Sequence, residues 1–326
     1  MRMCDVRVLC AVAALMVFAP AAVGAEDVPS YASATEAYRQ GMADIKAGRV
    51  EAALPSLAYA AERHVLGAQL KLARLYAAGT AVAQEDAKAF TYYQQIADQR
   101  AEINPRSPIA EYVAEAFVAL GRYYQAGLPA ISLPPDAVRA EGLYRHAASY
   151  FGDADAQYAL GRLYLSGEGV DKNVGLAANW LAMAAKKQHA AAQATLGEML
   201  WRGDDIRARP VKGLALIMLA HANAKADGDE PEWIAQLYVD AVSTADAATR
   251  KEARALVPEL GGTFAAATPE DGAAAAAIAA AKGPGEPAAT AEAVHGASAA
   301  GEGSAQPAAS MGMPVGFAKG AEESKP

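Results

Sequence analysis

Hydrophobic and small residues return along this chain in one helical pattern, four times between residues 68 and 203. In each copy an alanine is followed four residues later by a leucine, and a glycine closes the pattern. Apolar side chains at positions i, i+4 and i+8 form one buried face of a helix. The copies lie at 68–79, 116–127, 156–167 and 192–203. A pattern repeated at tens of residues predicts stacked supersecondary units rather than a single globular core.

Each copy of the pattern ends in a glycine. Glycine adopts the left-handed conformation at a helix C-terminus without a Cβ clash. We therefore predict that these four glycines are structural turn residues. They are Gly79, Gly127, Gly167 and Gly203.

A second apolar pattern follows each of these helices, in which a bulky pair precedes two small residues one turn later. Trp180 and Leu181, followed by Ala184 and Ala185, are an example. The small residues allow a neighbouring helix to approach closely, so each unit is predicted to contain two helices. The predicted units lie at about 36–64, 66–98, 115–152, 155–189 and 191–224, with a C-terminal cap at 232–260.

The predicted fold class is therefore all-α: an α-solenoid, a right-handed superhelix of helix pairs, occupying residues 26–262. In the cap, Trp233 and Tyr238 are expected to pack on the last full unit. The distance between the repeat glycines shortens along the chain, and extra residues fall at 104–108 and 128–135. Both segments contain prolines, which predicts rigid loops, and insertions in solenoids often lie near the binding face.

The first 25 residues have the features of a secretory signal peptide. Arg2 and Arg7 give a positive start, residues 8–23 are apolar, and small residues precede Glu26. The apolar run is shorter than the roughly 20 residues of a membrane span. We expect cleavage near Ala25 and export to the periplasm, with an uncleaved anchor as the alternative.

Removal of the signal peptide changes the chemistry of the chain. Both cysteines, Cys4 and Cys10, lie within it, so the mature chain would have no thiol for a disulfide or a thiolate metal site. Taking Arg2, Arg7 and Asp5 from the 29 basic and 37 acidic residues leaves 27 and 36, a formal net charge of −9. This acidic balance argues against nucleic acid as a partner, because binding to nucleic acid requires neutralisation of phosphates.

Residues 263–326 differ in composition from the rest. Alanine, glycine, proline, glutamate and serine dominate there, and Phe264 and Phe317 are the only aromatic residues. Such a segment buries too little apolar area to offset its ordering entropy. It is predicted to be a disordered Ala/Gly/Pro-rich tail, which acts as a spacer or solubilising segment.

The residues of the repeats carry a family resemblance. The run from Ala156 to Val170, followed by Ala177, Trp180 and Leu181, resembles a Sel1-like repeat, a relative of the tetratricopeptide repeat. The other copies fit less fully, and the one at 116–152 is interrupted by its proline-containing loop.

The whole arrangement of residues 30–262 resembles the ExoR-type exopolysaccharide regulators of rhizobia and their relatives. The resemblance rests on the export signal, the first helical pair with Ala37, Tyr38 and Gly41, the four repeats and the ending from Glu232 to Leu260. It implies a periplasmic repressor that binds the sensor domain of the membrane histidine kinase ExoS and lowers exopolysaccharide synthesis. The tail after Gly262 departs from the family pattern. The alternative function is a periplasmic scaffold for envelope or polysaccharide-export assembly.

Motifs of reaction chemistry are missing from the sequence. It contains no G-x-S-x-G, S-x-x-K, H-E-x-x-H or phosphate-binding G-x-x-x-x-G-K-[ST] motif. We therefore predict no enzymatic activity, no cofactor and no metal, against the alternative of an enzyme such as a peptidoglycan hydrolase. His64 and His189 fall near the ends of second helices, where a cation favours the helix dipole. A role in sensing pH is the alternative for them.

One column of charged residues is the candidate partner-binding site. Arg74, Arg122 and Arg162 occupy the same position in three successive first helices, and Glu198 breaks the series. Arginine pairs bidentately with carboxylates and is enriched in interfaces. Either these side chains contact a partner, or each pairs with an acidic neighbour on the protein's own surface.

Overall fold

The computed structural model describes residues 31–204, 206–228 and 230–261. The predicted signal peptide and the predicted tail lie outside these residues. The described part of the chain forms twelve α-helices, a π-helical turn at Ala147–Phe151 and 3-10 turns at Pro129–Ile131 and Pro258–Leu260. The helices are α1 (Ala34–Lys46), α2 (Val50–Glu62), α3 (Leu66–Ala78), α4 (Asp86–Arg100), α5 (Ala110–Ala126), α6 (Ala137–His146), α7 (Ala154–Ser166), α8 (Val174–Lys186), α9 (Ala190–Arg202), α10 (Pro210–Asp227), α11 (Glu232–Thr244) and α12 (Ala247–Leu256).

These helices pack in consecutive pairs. The pairs α1–α2, α3–α4, α5–α6, α7–α8 and α9–α10 each share a core, and each pair contacts the next along the chain. This arrangement confirms the predicted α-solenoid, while the handedness of its superhelix stays a prediction. None of the helices within the described residues is long and apolar enough to cross a membrane.

The two helices of a pair approach closely because a glycine of the first helix faces a bulky side chain of the second. A Cβ atom at Gly161 would lie 2.6 Å from Cγ of Leu181, and one at Gly121 would lie 2.4 Å from Cε1 of Tyr144. Leu181 is fully buried and Tyr144 is 1 % exposed. Even one added methyl group here would displace its neighbours. The recurring Leu-Gly step of the first helices is therefore a packing requirement.

Three of the four repeat glycines end their helices in the left-handed helical conformation. The φ and ψ angles are 63° and 13° at Gly79, 72° and 18° at Gly167, and 76° and 17° at Gly203. Gly127 has φ 74° but ψ 165°. The left-handed helical conformation predicted for Gly127 is therefore wrong. Its positive φ still favours glycine, but the chain leaves α5 extended, directed into a loop whose Pro135 would lie 2.8 Å from an added Cβ.

That loop is closed by hydrogen bonds of its own. Leu128 and Leu133 exchange backbone hydrogen bonds of 2.8 and 3.1 Å in a small antiparallel bridge. The N–H of Asp136 then donates to the carbonyl of Tyr124 at 2.6 Å. The Asp136 carboxylate accepts from the N–H of Arg139 at 2.9 Å and begins α6. The insertion is thus a compact turn with paired backbone groups.

A buried glutamine near the start of two first helices links neighbouring units. Nε2 of Gln157 donates to the carbonyl of Ala148 at 3.2 Å, and Nε2 of Gln193 donates to that of Ala185 at 3.1 Å. Both glutamines are at most 1 % exposed, so these bonds satisfy carbonyls at the end of the preceding helix. In α5 the equivalent residue is Phe117, which packs in an aromatic cluster instead.

The C-terminal helices α11 and α12 cover the last repeat. Tyr238 stacks on His221 of α10, with ring centroids 4.1 Å apart and planes 3° from parallel. Trp233 is 42 % exposed, and its predicted packing on this unit stays a prediction. The adjacent Ile234 is buried there, in a cluster with Ala194 and other alanines.

Candidate interaction cleft

The arginine column has a counterpart one unit further along the chain. Arg74, Arg122 and Arg162 are all exposed. Arg74 donates to the carboxylate of the residue just before the first alanine of the next unit. When the units are aligned, the residue at this position is therefore the expected partner of each arginine. The corresponding residues are Glu115 for Arg74, Asp155 for Arg122 and Ala191 for Arg162.

The first of these pairs is formed. Nε of Arg74 donates to Oε1 of Glu115 at 2.6 Å, and Nη2 donates to Oε2, which makes the pair bidentate. This hydrogen bonding raises the pKa of Arg74 above its usual value. We call the contact between Arg74 of α3 and Glu115 of α5 the closed junction. Arg74 is therefore engaged within the chain, which is the second of the two alternatives stated for the column.

The second pair forms no hydrogen bond, although the charge of Arg122 contributes to the lowered pKa of Asp155. Arg122 of α5 and Asp155 of α7 line the same cleft, which has a volume of about 720 Å³. We call this pair the open junction and the cavity the central cleft. Its charged lining residues are Glu111, Glu115, Asp153, Asp155 and Arg122. Its other walls include Tyr93, Pro105, Ser107, Pro108, Val118 and Phe151.

Two departures from the repeat form the walls of the central cleft. One is the insertion between α4 and α5, which contributes Pro105, Ser107 and Pro108. The other is the π-helical turn Ala147–Phe151, which carries Phe151 to the cleft and ends at Gly152 with φ 70°. Such turns interrupt the helical ladder and are frequent at functional sites. The cleft therefore lies where this unit differs from a regular repeat.

Asp155 is held by a histidine of the following unit. Nε2 of His189 lies 3.2 Å from Oδ1 of Asp155, and Nδ1 accepts the N–H of Ala192 at 3.1 Å. Since Nδ1 is an acceptor, the imidazole is assigned as the neutral form with its proton on Nε2. The hydrogen bond from His189 lowers the pKa of Asp155. The expected role of His189 at the end of a second helix is therefore wrong, because its side chain caps the start of α9.

The neighbouring Asp153 has the opposite electrostatic character. It caps α7 by accepting the N–H of Ala156 at 2.7 Å. Burial raises the pKa of Asp153 above its usual value. Beside it, Nζ of Lys187 donates to the carbonyl of Gly152. The carboxylates on this wall are thus fixed in place by capping and by a histidine rather than by a cation.

Two charged side chains of the cleft and the third arginine of the column form no hydrogen bond within the part of the chain that the structure describes. Glu111, Arg122 and Arg162 make no hydrogen bond or ion pair with any residue that the structure describes. Nor does the described part of the chain contain a group of three His, Cys, Asp or Glu residues arranged to hold a metal ion. The arrangement is suited to recognising charged and apolar groups of another molecule. The role of Arg74, Arg122 and Arg162 in binding a partner stays a prediction.

Known proteins resemble this chain in both repeats and sequence. The Sel1 repeat model matches residues 67–100, 114–149, 154–189 and 190–220. An exopolysaccharide production negative regulator of Rhizobium meliloti (strain 1021) is 36 % identical over 216 residues, which cover 66 % of this chain and 78 % of the relative. The protein of the same name from Rhizobium leguminosarum bv. viciae is 33 % identical over 219 residues, covering 67 % and 79 %.

The chain belongs to this family of exopolysaccharide production negative regulators. The predicted family resemblance is thereby confirmed. A crystal structure of a Sel1 repeat protein from Oxalobacter formigenes has a TM-score of 0.54 and 20 % identity, and covers 72 % of this chain and 88 % of that chain. At this identity the likeness concerns the fold, and it supports an α-solenoid for this exopolysaccharide-regulator family member.

Residues outside the arginine column turn out to shape the cleft of this exopolysaccharide-regulator family member. Sequence reasoning missed Glu115 and Asp155, although aligning the units would have placed both in one column. Gln157 and Gln193 belong to the repeated motif, but their hydrogen bonds to the preceding helix were not predicted. No sequence pattern indicates that Phe151 lines the cleft, because its position depends on the π-helical turn.

Proposed function

We propose that this chain is an exported negative regulator of exopolysaccharide production that acts by binding rather than by catalysis. Its partner would be the periplasmic sensor domain of a membrane histidine kinase. The observation that carries the proposal is the identity of 36 % with a relative of that name over 78 % of the relative's length. The repeat architecture supports it, since stacked helix pairs present extended surfaces for protein partners.

Repression by binding sets a thermodynamic condition on the complex. A regulator shifts a two-state kinase only by its difference in affinity for the two states, since equal affinity shifts nothing. We propose that the chain binds the inactive conformation of the sensor domain more tightly. Loss of the regulator then releases the kinase and raises exopolysaccharide synthesis.

A deletion strain tests the regulatory assignment. We expect secreted exopolysaccharide and kinase-dependent transcription both to rise on deletion, and to return to their original levels when the full chain is restored. Unaltered output in the deletion strain would refute the proposal.

The proposed location has its own test. We propose cleavage near Ala25 and residence in the periplasm, in line with the charge and hydropathy of residues 1–25. Fractionation should recover the protein from the periplasm with Glu26 at or near its amino terminus. Recovery of the unprocessed chain from the membrane would instead support the uncleaved anchor.

Crosslinking in whole cells separates a kinase regulator from an assembly scaffold. The proposal predicts that the captured membrane protein is a sensor histidine kinase. Capture of a polysaccharide-export complex without a kinase would favour the scaffold.

A further inference from the structure

A second cavity is lined by residues next to those of the central cleft and has a different character. It is lined mostly by apolar residues of the first helices α1, α3 and α5, with Lys71 and Arg74 at its edge, and has a volume of about 380 Å³. We call it the apolar groove. Its apolar and aromatic lining residues are Tyr38, Met42, Leu66, Leu70, Ile109 and Tyr112.

The apolar groove exposes an aromatic anchor. Tyr112 is 41 % exposed, although it lies on a helix whose other large side chains are mainly buried. Exposed aromatic residues beside a pocket are typical of the central residues of protein interfaces. The groove therefore offers a place for one bulky apolar side chain of a partner.

Neighbouring residues of α5 line the two cavities. Tyr112 lines the apolar groove, while its neighbour Glu111 lines the central cleft. The closed junction lies between them, since Arg74 lines one cavity and Glu115 the other. A segment that fills both cavities thus passes over an ion pair whose charges are already matched.

The charge of the central cleft selects the second side chain of such a segment. With Glu115 satisfied by Arg74, the cleft retains Glu111, Asp153 and Asp155 against Arg122 alone. Glu111 has no partner among the described side chains, and the hydrogen bond from His189 favours the ionised form of Asp155. The walls of proline, valine and phenylalanine suit the apolar stem of a lysine or arginine. A basic side chain complements this lining, whereas a carboxylate would be repelled by it.

We propose that the apolar groove and the central cleft form one docking surface for an extended partner segment that carries a bulky apolar residue and a basic residue. The inference rests on the proposed function for the identity of the partner, which is the sensor domain. The chemistry of the partner segment, a bulky apolar residue and a basic residue, follows from the two cavities alone. An extended segment suits this surface because successive first helices of a solenoid line it side by side.

Matched substitutions test the docking surface on the full mature chain. Tyr112→Glu alters the apolar groove, and its control is Trp233→Glu, at a residue of nearly equal exposure on α11 (42 % against 41 %). Glu111→Lys alters the central cleft, and its control is Glu252→Lys on the exposed face of α12. Circular dichroism melting confirms that each variant is folded.

The first probe is the purified sensor domain. We expect Tyr112→Glu and Glu111→Lys each to weaken its binding about tenfold or more, since each places a repulsive or poorly solvated charge in the interface. The two control variants should bind like the wild type. Unchanged binding by both cavity variants would overturn the docking surface and leave the proposed function standing.

The second probe is a set of labelled peptides in which a leucine and an arginine are separated by about two to five glycine or serine residues. Matched peptides carry glutamate in place of the arginine. We expect the chain to prefer an arginine peptide, and Glu111→Lys to abolish that preference. No preference would overturn the inferred chemistry. If the peptides bind as expected but the sensor domain does not bind the wild type, the proposed function fails and the docking surface stands.

Discussion

The closed junction and the open junction occupy the same place in successive units, yet only the closed junction contains a hydrogen-bonded ion pair. At the closed junction, Arg74 holds Glu115 through two hydrogen bonds. At the open junction, Arg122 and Asp155 lie in a cleft of about 720 Å³, and Asp155 is held by His189 instead. A regular solenoid would repeat its inter-unit contact. The difference between the junctions coincides with an insertion and a π-helical turn, which line the central cleft, while the packing within each pair is kept.

The largest effect on stability should come from the packing of the two helices within each pair, which is alike on the two sides of the open junction. Gly161→Ala and Gly121→Ala should each lower the free energy of unfolding by about 1–3 kcal/mol, because the added Cβ would meet Leu181 or Tyr144. Gly142→Ala is the control: nothing lies within 4 Å of its Cβ, so helix propensity should raise stability by roughly 0.5–1 kcal/mol. Urea denaturation measures all three. Tolerance of alanine at Gly121 and Gly161 would mean that the pairs are not packed as described.

The ion pairs themselves should differ in a double-mutant cycle. Alanine replacements at Arg74 and Glu115 should show a coupling of about 0.3–1 kcal/mol, as for a well-oriented but partly exposed pair. The same cycle at Arg122 and Asp155 should give a smaller coupling, because the charge of Arg122 helps to lower the pKa of Asp155 but no hydrogen bond joins the two side chains. Equal coupling in the two cycles would contradict the distinction between the junctions.

The two aspartates of the open junction should respond to pH with opposite signs. His189 lowers the pKa of Asp155, so the stabilisation from this group is present above the unfolded value of about 3.9 and is lost as pH falls through the lowered folded pKa. Burial raises the pKa of Asp153, so its contribution is favourable at low pH and is lost as pH rises through the raised folded pKa.

Asparagine variants measure this difference. Asp155→Asn should destabilise the protein at neutral pH, with the deficit shrinking below about pH 4. Asp153→Asn keeps a good helix cap and should be neutral or slightly stabilising at neutral pH. Stability curves against pH for both variants and the wild type decide the matter. A parallel response of the two variants would show that the assigned environments are wrong.

The smallest effects on stability should come from the unpaired arginines. Arg122→Ala and Arg162→Ala should change the free energy of unfolding by no more than about 0.5 kcal/mol. In sensor-domain binding they separate two hypotheses. If Arg122 anchors a partner carboxylate, its loss weakens binding. If the central cleft receives a basic side chain, removal of Arg122 leaves binding unchanged or strengthens it. We expect this second outcome, because the docking surface is proposed to take a basic residue.

Much of the fold could be predicted because its signals are local. The helix ends at Gly79, Gly167 and Gly203 follow from the pattern within one helix, and the pairing follows from short connections. Gly127 departs from this pattern where the chain enters the inserted loop, in which Pro135 lies close to it. The π-helical turn at Ala147–Phe151 leaves no mark in the hydrophobic pattern, which does not separate it from a continuing α-helix.

The candidate site was less accessible to sequence reasoning because its partners are distant. Glu115 is 41 residues from Arg74, and the pairing becomes visible only when units are aligned by position. The column of arginines was found in the sequence, but which arginine has a hydrogen-bonded partner depends on contacts between units that are distant along the chain. Whether a residue faces an open cleft is a property of that three-dimensional arrangement.

The most direct test of the account is repression in cells by variants of the docking surface. In a deletion strain, the wild-type chain and Trp233→Glu should both restore low exopolysaccharide output. Tyr112→Glu, at equal protein level in the periplasm, should fail to do so. Full repression by Tyr112→Glu would contradict the claim that this surface holds the partner.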